Sequence, residues 1–382
     1  MNNEKYWVWL SLVLGTGTRN DEILTAFPDP KKLFEASETE RMSAGVFSKR
    51  QFEKLSETSM TDAEKIVETC RKYGWQIVTP DSRIYPAGLR KLVDMPLVLY
   101  VDGDISCLRG KVIIGVVGTR KPCYESIAIA RKISSDLACA GAVVVSGGAL
   151  GIDSSAHEGA LNAKGKTVCV LGCGLGTDYL RENEALRREI SRNGAVVTEY
   201  PPMKPATRYT FPERNRIISG MSHGVLVVEA GEKSGSLITA KRAAEQARDV
   251  YAIPGSILTT AYNGANALIR DGAKAVSGAR DILAAYAVIY PDRLDLDLIS
   301  DAPIVVEKTE KKEKAHEIKK QSTEGLDSDC AAVYALFGEE SLHPDEISAA
   351  TGFPLSKVIS LLMQLQMDDY IEIDGGKNYR LK

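Results

Sequence analysis

Between about residues 75 and 287, short β-branched runs alternate with amphipathic helical stretches, and this alternation limits the fold more than any other feature. The runs fall at 112–117, 142–146, 167–171, 195–198, 224–229, 249–253 and 274–276, with helical patterns at 125–140, 153–163, 182–192 and 235–247. Strands that are apolar along nearly their whole length must be covered on both faces, and helices between them supply that cover. The pattern predicts an α/β fold with a doubly wound parallel sheet.

The chain has 382 residues, more than one compact core usually holds, so two or three units are expected. Residues 1–75 read as short helices, at 31–35, 48–57 and 61–73 after an apolar run to Leu14, the break Gly15-Thr16-Gly17 and a helix over 22–27. The stretch LVLGTGTRNDEILTAF resembles a helix-hairpin-helix, and a small bundle with a glycine turn accounts for it equally well. Residues 76–288 form the α/β core. Residues 289–325 read as a linker, charge-mixed over 307–320 (EKTEKKEKAHEIKK). Residues 326–382 show helical patterns at 329–337, 344–351 and 355–367. Strands at 370–373 and 378–381 follow, joined through Asp374-Gly375-Gly376, which predicts a winged helix.

Composition is that of a globular protein, with 44% hydrophobic and 26% charged residues, which excludes collagen-like, coiled-coil and wholly disordered chains. No apolar stretch reaches the ~18 residues of a membrane-spanning helix. The run YWVWLSLVL (6–14) imitates a secretion signal, but Glu4 cancels Lys5 and no small-residue cleavage site follows, so it reads as a buried helix. The seven cysteines are scattered and odd in number, as expected of reduced thiols in a cytoplasmic protein. None of the four histidines has metal-ligand spacing.

Charge is uneven along the chain. Residues 111–281 carry 22 basic and 16 acidic groups, a net of +6, whereas residues 282–382 carry 11 and 19, a net of −8. A polyanionic partner therefore suits the middle of the chain. Ligands of a doubly wound sheet bind beyond the carboxyl ends of its strands, and four glycine loops lie there. They are Gly118-Thr119-Arg120-Lys121, Ser146-Gly147-Gly148, Gly172-Cys173-Gly174 and Gly231 through Lys233-Ser234-Gly235-Ser236. One such loop is usually only a tight turn. Four in one sheet, with cations in two of them, point to exposed amides arranged for phosphate.

Two nucleotide signatures nearly match and fail. In Gly159 through Gly165-Lys166-Thr167 five residues separate the glycines and a strand follows, so a P-loop is rejected. In Gly172-x-Gly174 the third fingerprint position is Thr177, which leaves a dinucleotide site, with Glu199 as ribose ligand, only as a weak alternative. The segment YTFPERNRIISGMS (209–222) places Arg214, Asn215 and Arg216 beside Phe211, a set able to grip phosphates and stack on a base. Ordinary solvated arginines are the competing reading, and Arg120, Lys121 and Lys233 on the same sheet edge tip the balance toward phosphate binding. No catalytic set is visible: Asp153 and Glu158, near His157, read as helix-capping acids, and the serines lack a base.

These loops, in this order, resemble the DprA/Smf family of DNA-processing proteins. The resemblance rests on VGTR (117–120), SGGALGIDSSAH (146–157), VLGCG (170–174), FPERNRIISG (211–220), VEAGEKSGSLITA (228–240), IPG (253–255) and NGANALIRDGA (263–273), with YPAGLRKLVDMPLVLYVDGD (85–104) upstream. It covers about residues 80–287. The usual Gly-Ser-Arg stands here as Gly118-Thr119-Arg120, and the usual Tyr-Pro as Tyr179-Leu180.

The resemblance implies an extended Rossmann-like core that binds single-stranded DNA without catalysis or cofactor, self-associates as a homodimer and loads the RecA recombinase in natural transformation. It carries the pocket onto Gly118, Thr119, Arg120, Ser146, Gly147, Gly148, Arg214, Asn215, Arg216, Lys233, Ser234, Gly235 and Ser236, with Arg120, Arg214, Arg216 and Lys233 expected on phosphates. The winged helix is expected to have a protein-contact or regulatory role, since Lys357 is the sole cation of its third helix. The rival readings are a phosphoribohydrolase-type nucleotide hydrolase, against which the missing Pro-Gly-Gly-x-Gly-Thr segment counts, and a nicotinamide-dependent oxidoreductase.

Overall fold

The computed structural model describes residues 3–300, 326–338, 341–374 and 378–381. Among these the main sheet has nine strands: β1 (Gln76–Val78), β2 (Leu99–Gly103), β3 (Ile113–Val117), β4 (Val143–Ser146), β5 (Thr167–Val170), β6 (Ala195–Thr198), β7 (Gly224–Val227), β8 (Asp249–Ala252) and β9 (Lys274–Ala275). Their order across the sheet is β1-β2-β6-β5-β4-β3-β7-β8-β9. From β6 to β9 all neighbours are parallel. Alternate side chains of each buried strand feed opposite cores. Ile113 and Val117 join one with Val145, Val170 and Ile217, while Ile114 and Val116 join the other with Ile133, Leu137 and Leu226.

Seven of the nine strands lie where the apolar runs predict. The sheet is mostly parallel, as the pattern predicts, with two further strands at one edge: β1 pairs antiparallel with β2, and β2 antiparallel with β6. The run LVLYVDG (97–103), which ends in β2, leads from a segment without a crossover helix, so nothing returns the chain to a parallel approach.

The N-terminal helices Glu4–Leu14, Asp21–Ala26, Pro30–Glu35, Glu38–Ser43, Lys49–Glu57 and Met60–Tyr73 match the predicted positions, except that Glu38–Ser43 is additional. Its Ser37–Glu40 capping box is the signal that marks it. The first helix buries Trp7, Val8, Trp9, Leu10, Val13 and Leu14, as a core helix and not an export signal would. These helices share one hydrophobic cluster with Leu97, Val98 and Tyr100 from the sheet edge, and Asn20 Nδ2 donates to the Met95 carbonyl over 2.8 Å. They therefore belong to the same compact unit as the sheet.

The first part of the expected linker is also structured. The last core helix, Ala279–Ile289, is followed by chain that returns to the sheet: Asp295 N donates to the Ala140 carbonyl over 3.1 Å, and Ile299 is buried. The charge-mixed segment 307–320 lies outside the described residues.

The second unit is a winged helix. Helices Ser328–Leu336, Pro344–Thr351 and Leu355–Met367 surround Val333, Phe337, Ile347, Val358 and Leu362, and strands β10 (Ile371–Asp374) and β11 (Asn378–Leu381) pair antiparallel. Pro344 at the first helical turn and Gly352 in a left-handed C-cap bound the middle helix. The turn residues Gly375 and Gly376 lie outside the described residues. All seven cysteines are free thiols.

Candidate nucleic-acid interface

The sheet reverses its winding between β3 and β7. From β3 the chain steps outward through β4, β5 and β6, and from β7 it steps the other way through β8 and β9. At such a point the loops leaving the two central strands diverge and open a crevice. Here they are Gly118-Thr119-Arg120 after β3 and 228–236 after β7, tied together by Thr119 N donating to the Glu229 carbonyl over 2.9 Å. A cavity of about 310 Å³ lies there.

Helix Thr210–Met221 forms one wall. Its Arg214 is only 4% exposed, and its Nη1 donates to the Val170 carbonyl at the end of β5. Its Nε is buried without a partner, and among the described residues no carboxylate lies within ion-pair distance. Burial pulls the Arg214 pKa down, and Asp153 across the cavity opposes that shift. Burial likewise raises the Asp153 carboxyl, with Arg214 and the Ala149 amide acting the other way. A buried guanidinium with an open donor is a prepared anion site.

The second loop is shaped around this arginine. A side chain at Gly147 would place its Cβ 2.1 Å from Arg214 Nη1, so only glycine lets the backbone pass. Ser146 turns inward and donates to the Val116 carbonyl over 2.6 Å. Gly148 takes a positive φ of 67°.

At the mouth, the exposed Arg120 sits over Phe211, with its guanidinium carbon 5.1 Å from the ring centroid. Tyr179 packs on Phe211 at 5.2 Å between centroids. The third glycine loop thus adds an aromatic to this wall. Leu180 follows at φ +51°, a value closed to proline, which explains the departure from Tyr-Pro in this loop.

The opposite wall is the start of helix Ser236–Glu245. Ser234 and Ser236 hydroxyls are 2.8 Å apart, and Asn215 Nδ2 donates to the Gly235 carbonyl over 3.3 Å. The first amides of this helix are already engaged: Ser236 N donates to Ser234 Oγ over 3.4 Å, Leu237 N to the Ser234 carbonyl over 3.1 Å and Ile238 N to the Gly235 carbonyl over 3.2 Å. This wall therefore offers the serine hydroxyls and the positive end of the helix dipole.

Nine of the anticipated residues therefore line one cavity: Gly118, Thr119, Arg120, Phe211, Arg214, Asn215, Ser234, Gly235 and Ser236. Lys121 and Lys233 are exposed on the two loops that frame it, outside its lining. Ser146, Gly147 and Gly148 stand behind it, supporting Arg214 and the backbone.

Arg216 departs from expectation. It is 1% exposed, donates from Nη2 to Glu199 Oε2 over 2.5 Å, and has Asp94 3.5 Å from its Nε. Burial would lower its pKa, but the Glu199 and Asp94 carboxylates outweigh that and hold it above the usual arginine value. Helical residues two apart point to nearly opposite sides, so Arg214 and Arg216 could not both face the crevice. Glu199, weighed as a ribose ligand, is bound up in the same pair.

Sequence reasoning missed Ile238 and Thr239, which line the cavity from the helix beginning at Ser236, and assigned Asp153 only a capping role. The spacing of Thr239 three residues after Ser236 on one helix was the available signal.

A doubly wound core with a crevice at its switch point, together with a winged helix, places the chain among α/β proteins that carry a winged-helix unit. The family model for DNA recombination-mediator protein A matches residues 76–287, and that for the DprA winged helix domain matches 317–377. The chain belongs to this DprA/Smf family.

Protein Smf of Escherichia coli is 34% identical over 307 residues, covering 80% of this chain and 77% of that protein. The structure of DNA processing protein A from Streptococcus pneumoniae superposes with a TM-score of 0.64 at 32% identity, covering 74% of this chain and 98% of that one. DNA processing protein A from Helicobacter pylori, whose structure concerns its mode of binding single-stranded DNA, gives a TM-score of 0.51 at 30% identity. It covers 56% of this chain and 97% of its own.

Proposed function

We propose that this chain binds single-stranded DNA in the crevice between β3 and β7, without catalysis. The observation that carries the reading is the convergence of Arg120, Arg214 and the Ser234 and Ser236 hydroxyls on one cavity walled by Phe211. Arg214 and the Ser234 and Ser236 hydroxyls take a phosphate held at depth, and Arg120, Lys121 and Lys233 follow neighbouring phosphates outside. Phe211, backed by Tyr179, offers its ring to an unpaired base, a contact indifferent to sequence. Membership of a recombination-mediator family and the likeness to the Helicobacter pylori protein support the choice of ligand.

On the same grounds the bound strand is passed to a RecA-type recombinase in transformation, and the chain works as a homodimer joined through its Rossmann-like core. The decisive experiment is fluorescence anisotropy with labelled single- and double-stranded oligonucleotides over a salt series. Preferential single-strand binding that weakens steeply with salt is expected. Equal affinity for duplex, or release of ribose phosphate from an AMP-like nucleotide, would replace this reading with duplex binding or with the phosphoribohydrolase alternative.

A further inference from the structure

The last helix of the winged unit, Leu355–Met367, is apolar on two sides. Val358, Leu361, Leu362 and Leu365 are buried and hold that unit's core. Leu355, Ile359, Met363 and Met367 recur every fourth residue along the other side and are 41, 42, 61 and 86% exposed. A second apolar side on a helix is ordinarily covered as the first is, so this stripe is half of an interface.

Charge identifies the other half. Residues 326–382 contain ten acidic and four basic groups, and the only cation on this helix, Lys357, pairs with Asp329 at 2.5 Å. In a DNA-reading winged helix this helix brings basic side chains to phosphates, and here it brings none that is uncommitted. A second copy of the same unit would set a net charge of −6 against −6. A cationic surface is what complements it.

We propose that this stripe docks a basic amphipathic helix of another protein. The partner's apolar ridge seats along Leu355, Ile359, Met363 and Met367, and its Lys or Arg flanks meet the surrounding carboxylates, beginning with the exposed Asp368 just beyond the stripe. Two methionines in the seat allow it to mould to different ridges.

The test uses the full chain and a fluorescein-labelled synthetic helix of leucine and lysine, with a leucine–glutamate peptide of the same pattern as control. The leucine–lysine peptide is expected to bind and the glutamate peptide to fail. The double variant Ile359→Ser/Met363→Ser is expected to weaken binding at least about tenfold, because a few central apolar contacts dominate such interfaces. Both positions face solvent, so an unchanged circular-dichroism melt confirms that the variant is folded. Three results overturn the proposal: no binding of the lysine peptide, equal binding by parent and double variant, or concentration-dependent self-association of the parent that the double variant abolishes. The last would make a second copy the occupant.

Discussion

Arg216 Nη2 lies 2.5 Å from Glu199 Oε2 inside the first unit, while Arg214, two residues earlier on the same helix, lines the crevice and has a buried Nε without a partner. One short arginine-rich stretch thus serves the scaffold with one residue and, on the proposed function, the DNA with the other. Arg216→Met should therefore act on stability. Removing one member of a buried pair strands the other charge, at a cost of about 3–5 kcal/mol. Urea denaturation should show that loss, while the DNA affinity of the folded fraction stays close to the parent's.

Arg120→Ala should have the opposite profile. The side chain is exposed and touches Phe211 at the mouth, so stability should hardly move. Affinity for single strands should fall alike for unrelated sequences, and the slope of log affinity against log salt should flatten by about 0.7, the value for one phosphate contact on a single strand. Anisotropy titrations at several salt concentrations measure both quantities.

Gly147→Ala tests the support behind the crevice. The added methyl would lie 2.1 Å from Arg214 Nη1, so the guanidinium must be displaced. Overpacking of this kind costs about 1–3 kcal/mol. DNA binding should drop as far as it does for Arg214→Ala, and a smaller loss than that would remove Arg214 from the phosphate path.

His157 sets a pH dependence unrelated to DNA. Burial, helped by Arg214, takes its pKa down to about 3, and its Nδ1 is 2.7 Å from the Thr167 hydroxyl. Below pH ~6.5 the unfolded chain takes up a proton that the folded chain refuses, so stability falls as the pH is lowered toward 3. Between pH ~6.5 and the folded value of about 3 the slope from this group is about 1.4 kcal/mol per pH unit; above pH ~6.5 the slope vanishes and the full contribution is present. Thermal melts between pH 7 and 4 should show it, and His157→Gln should reduce it.

How far the sequence could be read depended on burial. The parallel strands were legible because two covered faces demand apolar runs, and β6 matches its predicted range of 195–198. The edge was harder. Gln76–Val78 is three residues long with Gln76 exposed, too little for any pattern. In the crevice, loop glycines located the ligand face because amides must be bare there. Arg214 and Arg216 could be separated only once helix Thr210–Met221 was seen to begin before them, since chemistry alone makes them equivalent.

The hairpin Gly15-Thr16-Gly17 reaches that same helix. Thr16 Oγ1 donates to Glu213 Oε2 over 3.0 Å, and the Tyr200 hydroxyl donates to the same oxygen over 3.0 Å. The N-terminal helices thereby buttress the arginine-bearing wall from behind. Trimming them away would unmoor that wall and strip the cover from Tyr100, so a truncated chain that lost its grip on DNA would report a collapsed support, with no need for any contact between those helices and nucleic acid.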